Sequence, residues 1–129
     1  MASSKDILRI LVADDEPQIC SLIREALTQA GHYVELCRDG EEVLRRMDSG
    51  SRYGLLIIDV LMPKKTGPEV VQELRESGET IPILLMSSFL SDEVLSSCSA
   101  LERIAFLQKP FSLVDLRATV ERLTRPVHS

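Results

Sequence analysis

Two kinds of hydrophobic pattern alternate along this chain. Short continuous apolar runs, bounded by turn residues, occur at 7–13 (ILRILVA, broken once by Arg9), 55–58 (LLII), 81–86 (IPILLM) and 104–107 (IAFL). A fifth segment, 33–37 (YVELC), is shorter and more mixed but also reads as a strand. Continuous apolar runs of this length predict strands buried on both faces, as in a parallel sheet under helices. Between them the apolar residues recur at steps of three and four. Ile19, Leu22, Ile23, Ala26, Leu27 and Ala30 mark one face of a first helix; Val43, Leu44 and Met47 mark a second. Val70, Val71 and Leu74 belong to a third helix, Val94, Leu95 and Cys98 to a fourth, and Leu113, Leu116, Val120 and Leu123 to a fifth.

Punctuation residues support these boundaries. Pro17 ends the first strand segment and suits the first turn of a helix, and Gly31 stands where a helix stop is favoured. Asp39-Gly40 is a turn signal in which Asp39 can equally cap the second helix. Pro68 opens the third helix and Ser77-Gly78 closes it, Ser91 and Asp92 can cap the fourth, Ser112 caps the fifth, and Pro126 ends the ordered chain. Five strands alternating with five helices through short loops imply right-handed crossovers and a parallel sheet covered on both faces. The pattern is expected to fill residues 1–129 as one domain, with a core of about 6–125 and no output domain.

Composition narrows the function classes. Net charge is −5, which argues against direct nucleic-acid binding through a broad basic surface. No apolar run approaches the roughly 18 to 20 residues that cross a bilayer, and the N-terminus has no signal-peptide architecture. Cys20, Cys37 and Cys98 are odd in number and lack metal-ligand spacing, so reduced, partly buried thiols in a cytoplasmic protein are the simplest reading. His32 and His128 are isolated and attract no functional role.

The chemistry lies where the strands end. The first strand delivers Asp14, Asp15 and Glu16, the third Asp59, the fourth Ser87 and the fifth Lys109. Parallel strands bring these to one edge, which in open α/β sheets is where ligands bind. Clustered carboxylates need a neutralising cation, and oxygen donors without His or Cys favour a hard divalent ion such as Mg²⁺. A carboxylate beside Mg²⁺ and a lysine is equipped to accept an activated phosphoryl group as an aspartyl-phosphate. Each residue alone has a plainer reading: an acidic pair favours a helix dipole, and a lone Asp after a strand is commonly a turn residue or cap. Their order, one group at the end of each successive core strand, is what singles them out.

The chain resembles the receiver domain of two-component response regulators almost end to end. LVADDEP (11–17) is similar to that family's acidic-pair motif and IIDVLMPKKTGPE (57–69) to its phosphoacceptor motif. LLMSS (84–88) matches the hydroxyl motif and FLQKPF (106–111) the lysine-proline motif. The resemblance implies a flavodoxin-like doubly wound (βα)5 three-layer sandwich with strand order 2-1-3-4-5. It implies that Asp59 accepts a phosphoryl group from a sensor histidine kinase or a histidine phosphotransfer protein. By position, Asp15 becomes a direct Mg²⁺ ligand, Asp14 acts through water, and Asp59 and the Leu61 backbone carbonyl complete the protein's share. Lys109 is expected to contact the phosphoryl oxygens, and Lys109-Pro110 to be a cis peptide. Ser87 and Phe106 become the switch residues, and the fourth helix, fifth strand and fifth helix the readout surface for a downstream partner or output domain. A homodimer through the fourth and fifth helices is open to such a surface.

Four positions depart from the common family pattern. Ser88 replaces a small apolar residue, and Phe106 can pack but has no phenol. Leu61 and Phe89, each two residues beyond a site residue, are apolar and are expected to lengthen the acyl-phosphate lifetime by hindering water. The segment 97–106 (SCSALERIAF) lacks the glycine-alanine stretch often found before the fifth strand, which leaves the shape of the fourth helix open.

The leading reading is a signalling module whose own chemistry stops at self-phosphorylation and autodephosphorylation. The alternative is a phosphorylation-independent, receiver-like interaction scaffold, against which the complete set of Asp14, Asp15, Asp59, Ser87 and Lys109 argues. An aspartyl-nucleophile phosphatase would need a second carboxylate at position 61, which is leucine. A flavin-binding flavodoxin would need a hydroxyl- and glycine-rich first loop, which here is acidic.

Overall fold

The computed structural model describes residues 7–125 apart from position 100 and the side chain of Ser99. Its elements alternate strictly: β1 (Arg9–Ala13), α1 (Pro17–Gln29), β2 (Tyr33–Cys37), α2 (Gly40–Asp48), β3 (Leu55–Asp59), α3 (Gly67–Glu76), β4 (Ile83–Ser87), α4 (Asp92–Ser99), β5 (Ile104–Gln108) and α5 (Leu113–Thr124). The expected stop at Pro126 and His128 both lie outside the described residues. All neighbouring strands pair in parallel, in the order β2-β1-β3-β4-β5. The parallel sheet is the one expected from the alternation, and its doubly wound, flavodoxin-like order is the one the family resemblance implies.

The two-residue period of a strand divides the core into two layers. Leu11, Ala13, Leu56, Ile58, Ile83 and Leu85 face Val43 of α2, Val70, Val71 and Leu74 of α3, and Cys98 of α4. Ile10, Val12, Leu55, Ile57, Leu84 and Met86 face Ile23, Ala26 and Leu27 of α1 and Leu116 and Val120 of α5. Each such fully buried aliphatic side chain contributes roughly 1.5–3 kcal/mol of transfer free energy. The central strands β3 and β4 are buried at every position, which is why their sequences run apolar without alternation.

Several boundaries differ from the pattern-based expectation for identifiable reasons. β1 begins at Arg9 rather than residue 7, and Ile7 is exposed. Arg9 is accommodated by an ion pair with Glu35 at 2.6 Å and by stacking 4.9 Å from the Tyr53 ring centre. β4 begins at Ile83, after Pro82, whose ring nitrogen has no hydrogen to give a ladder. In α1 the buried stripe is Cys20, Ile23, Ala26 and Leu27, whereas Leu22 and Ala30 face solvent. The three cysteines are free and fully buried, not partly so. His32 has a structural use that its isolation concealed: Nδ1 accepts a hydrogen bond from the Leu8 amide at 3.0 Å.

Two helix starts, those of α2 and α5, follow the residues expected to cap them, and α3 begins at Gly67 rather than Pro68. Asp39 accepts from the Glu42 amide and Ser112 from the Asp115 amide. Thr66 and Glu69 form a reciprocal capping box at the head of α3. α4 is a short eight-residue helix held to α3 partly through main-chain carbonyls: Gln72 donates to Ser97 O at 3.1 Å. Arg75 donates to the carbonyls of Glu79, Ile81 and Glu102, which pins the approach to β4 and β5.

Candidate functional site

Strand order reverses between β1 and β3, because the chain leaves β1 for β2 on one side and returns to β3 on the other. The carboxyl ends of β1 and β3 therefore open onto a crevice, the usual ligand position in such sheets. Asp14 immediately follows β1 and Asp59 is the last residue of β3, so adjacent strands deliver both carboxylates to this crevice. β4 ends in Ser87, and β5 is followed directly by Lys109. Asp14, Asp59, Ser87 and Lys109 are the buried polar residues of this edge, while Asp15 is exposed.

Lys109 organises the carboxylates. Its Nζ lies 2.7 Å from Asp14 Oδ2, 2.9 Å from Glu16 Oε1 and 3.5 Å from Asp59 Oδ1. Asp14 uses its other oxygen, Oδ1, to accept the Glu16 amide at 2.9 Å. The Lys109 backbone is anchored by its amide, which donates to Ser87 O at 2.7 Å, and the Lys109-Pro110 peptide is cis, as expected. Burial alone would lower the Lys109 pKa; the hydrogen bonds to Asp14 and Glu16 and the nearby Asp59 charge outweigh it and hold the ammonium above its ordinary value. Burial pushes the Asp59 carboxyl up to about 6, with Asp14 adding to the rise and Lys109 opposing it.

The donor set suits a hard divalent cation. One carboxylate oxygen each from Asp14, Asp15 and Asp59 lies within 4.8 Å of the others, and among the described residues no histidine or cysteine joins them. Asp15 supplies a solvent-facing carboxylate, whereas Asp14 is already engaged by Lys109 and the Glu16 amide.

The loop after Asp59 is packed against its own strand. The Gly67 amide donates to Val60 O at 2.9 Å, and a Cβ on Gly67 would lie 2.5 Å from Asp59 O. Lys64, with φ at 70°, makes the turn between them, its ammonium 3.7 Å from Asp39. Leu61 and Phe89 are exposed, at 72% and 75%. The Ser87 hydroxyl donates to Phe89 O at 2.8 Å and accepts from Phe89 N at 3.0 Å. Strand register pairs Leu85 with Phe106 and Ser87 with Gln108, so Ser87 and Phe106 fall on the same face, the one α4 covers. Phe106 is half-buried there.

Every residue singled out from the strand ends thus reaches one edge. Sequence reasoning passed over Gly67, which lets the loop close on Asp59, and collected Glu16 with the strand-end carboxylates without a role for it, whereas its carboxylate crosses to Lys109. A signal for Glu16 existed: it stands at the N-cap of α1, where glutamate is not favoured, and makes no capping bond.

Comparison with known proteins identifies the family and the fold. The family described as response regulator receiver domain matches residues 10–121. The response regulator MprA of Mycobacterium ulcerans is 38% identical over 120 residues, covering 92% of this chain and 50% of that protein. The chain therefore spans about half the length of the curated relatives it matches. Among solved structures, the Vibrio cholerae chemotaxis protein CheY4 superposes with a TM-score of 0.83 at 31% identity, covering 92% of this chain and 99% of that one. The Thermotoga maritima response regulator TrrA, solved in complex with Mg²⁺-BeF, gives 0.78 at 34% identity over 89% and 97% of the two chains. Among the described residues no helix is long and apolar enough to cross a membrane. By sequence and by structure, the chain belongs to the response regulator receiver domains of two-component systems, whose role is phosphorylation-dependent signalling.

Proposed function

We propose that this domain is switched by phosphorylation of Asp59 and relays that change through its α4–β5–α5 face to a downstream partner or output domain. The observation that carries the reading is the buried Asp59 carboxylate, faced by Lys109 and flanked by Asp14 and Asp15. In the transfer, an Asp59 carboxylate oxygen bonds to phosphorus while the bond from phosphorus to the imidazole nitrogen of a phosphohistidine breaks. The histidine belongs to a sensor kinase or a phosphotransfer protein and leaves as a neutral ring after taking a proton. Asp15, Asp59 and the Leu61 carbonyl are the protein ligands we assign to Mg²⁺, with Asp14 acting through water; bound there, the ion would neutralise the phosphoryl charge. Lys109 would supply a positive charge to the phosphoryl oxygens, and Asp14 orients its ammonium.

The readout begins at Ser87. Its hydroxyl is committed to Phe89 and must turn from the loop to reach a phosphoryl oxygen on Asp59. That turn frees space on the α4 face, where Phe106 lies, so the phosphoryl group biases one arrangement of α4 and β5 over another. The domain acts in the cytoplasm, where its phosphodonors work, and its own chemistry is confined to taking and slowly losing the phosphoryl group.

The test is intact-protein mass spectrometry after incubation with acetyl phosphate and Mg²⁺. Wild type gains one phosphoryl group, and Asp59→Asn and the magnesium-free reaction gain none. Absence of labelling in wild type, under conditions that fully label a known receiver, removes this reading and leaves the phosphorylation-independent scaffold.

A further inference from the structure

The Lys109 ammonium is held by two carboxylates that are not the acceptor. Asp14 is fully buried and also accepts the Glu16 amide, so it is fixed by the core. Glu16 is different: its side chain is 59% exposed and its only partner among the described side chains is Lys109, at 2.9 Å. It also stands at the N-cap of α1, where a serine or aspartate would satisfy the first free amides of the helix, and it caps nothing. The helix begins instead on Pro17, whose missing N–H needs no partner. A favourable cap is thus absent at a position whose side chain reaches the site lysine instead.

The contact has a direction. With Glu16 and Asp14 at 2.9 and 2.7 Å, Nζ stays 3.5 Å from Asp59, beyond a good hydrogen bond. A phosphoryl group arriving on Asp59 carries oxygens that compete for the same ammonium, and the Glu16 charge repels them. We propose that Glu16 is a positioning residue that parks Lys109 away from Asp59, so that it opposes the phosphorylated state and sets how readily the switch is thrown. The proposal rests on Asp59 being the phosphoryl acceptor. Glu16 releases Lys109 rather than Asp14 doing so, because an exposed carboxylate exchanges its partner for water at small cost and a buried one does not.

The test is titration of beryllium fluoride, a phosphoryl mimic, at saturating Mg²⁺ by isothermal calorimetry. It compares wild type with Glu16→Gln, which removes the charge, and Glu16→Asp, which keeps the charge but shortens its reach. Glu16→Gln is expected to bind about threefold more tightly, the order expected when one half-exposed ion pair no longer has to be broken. Glu16→Asp should fall between the two. A merely structural role would change the melting temperature without tightening the mimic. Unchanged or weaker binding by Glu16→Gln, with wild type binding normally, overturns the inference and leaves the acceptor assignment intact. Failure of wild type itself to bind overturns both.

Discussion

The hydroxyl of Ser87 and the backbone of Phe89 are bonded to each other twice. Ser87 Oγ donates to Phe89 O at 2.8 Å and accepts from Phe89 N at 3.0 Å. The group expected to answer a phosphoryl oxygen thus already donates its single O–H within its own loop and must give up that bond to donate elsewhere. Phosphorylation should then shift the Phe89 amide resonance and raise its hydrogen-exchange rate. Ser87→Ala should remove that response while costing about 1 kcal/mol of stability, since Phe89 is exposed and water can replace the lost partner. An unchanged Phe89 amide in phosphorylated wild type would count against the hydroxyl as the first moving part.

Asp59 makes folding pH-dependent in a direction opposite to that of a salt-bridged carboxylate. Its pKa rises from an ordinary 3.8 to about 6 in the folded chain. The folded state therefore holds its proton more tightly, and Asp59 is no burden below about pH 4. The cost grows as pH rises through the folded value and is complete above about pH 6–7. A rise of this size corresponds to about 3 kcal/mol. Asp59→Asn should accordingly be more stable than wild type by up to about 3 kcal/mol at pH 7.5 without Mg²⁺, and the difference should shrink toward pH 4. Urea unfolding across that range measures it; a difference that is constant with pH would show that the carboxylate charge is not the cause.

Gly67 has no room for a methyl group. A Cβ there meets Asp59 O at 2.5 Å, Val60 Cα at 3.1 Å and Leu85 Cδ2 at 3.0 Å, and the first two are main-chain atoms that cannot rotate away. Gly67→Ala is expected to destabilise the domain by about 1–3 kcal/mol. It should also slow phosphorylation by acetyl phosphate, because the loop that moves carries Leu61 and abuts Asp59. Thr66→Ala, one residue earlier, breaks the capping box and should cost about 1 kcal/mol with no effect on phosphorylation. The pair separates packing on the acceptor from the stability of α3.

Leu61 and Phe89 stand on the two loops that follow β3 and β4, mostly in solvent. Two large apolar side chains at these positions offer no hydrogen bond to an attacking water. Replacing either by a polar residue, as in Leu61→Asn or Phe89→Gln, should shorten the aspartyl-phosphate lifetime, measured as phosphoryl loss over time by mass spectrometry. A decay rate that hardly rises would remove these residues from control of the lifetime.

The thiols should be inert while the chain is folded. Burial raises Cys37 to about 12 and, less strongly, raises Cys20, whose Sγ donates to Asp14 O at 3.2 Å. Iodoacetamide at pH 8 should modify none of Cys20, Cys37 and Cys98 in the native protein and all three in urea. Rapid native labelling of Cys20 would mean that the floor of the acidic crevice opens.

The alternation of apolar runs and helical stripes was enough to determine the layered α/β fold, because strands buried on both faces have no alternative but a parallel sheet under helices. The site was legible for the same reason. Once the strands are parallel, whatever follows each one lies on a common edge, so the sequence alone brings Asp14, Asp59, Ser87 and Lys109 together. Pattern could not show the partners within that edge, since they depend on side-chain reach across 93 and 95 positions of chain, as in the contacts of Lys109 with Glu16 and Asp14. Nor could it show that Arg9 is tolerated in β1 through Glu35 and Tyr53, that Leu22 turns outward, or that His32 binds the Leu8 amide. Periodicity reports which residues avoid water, a property of each position alone. Which polar atoms meet, and so which carboxylate holds the lysine and which loop holds the serine, is a property of pairs, and only the tertiary structure decides it.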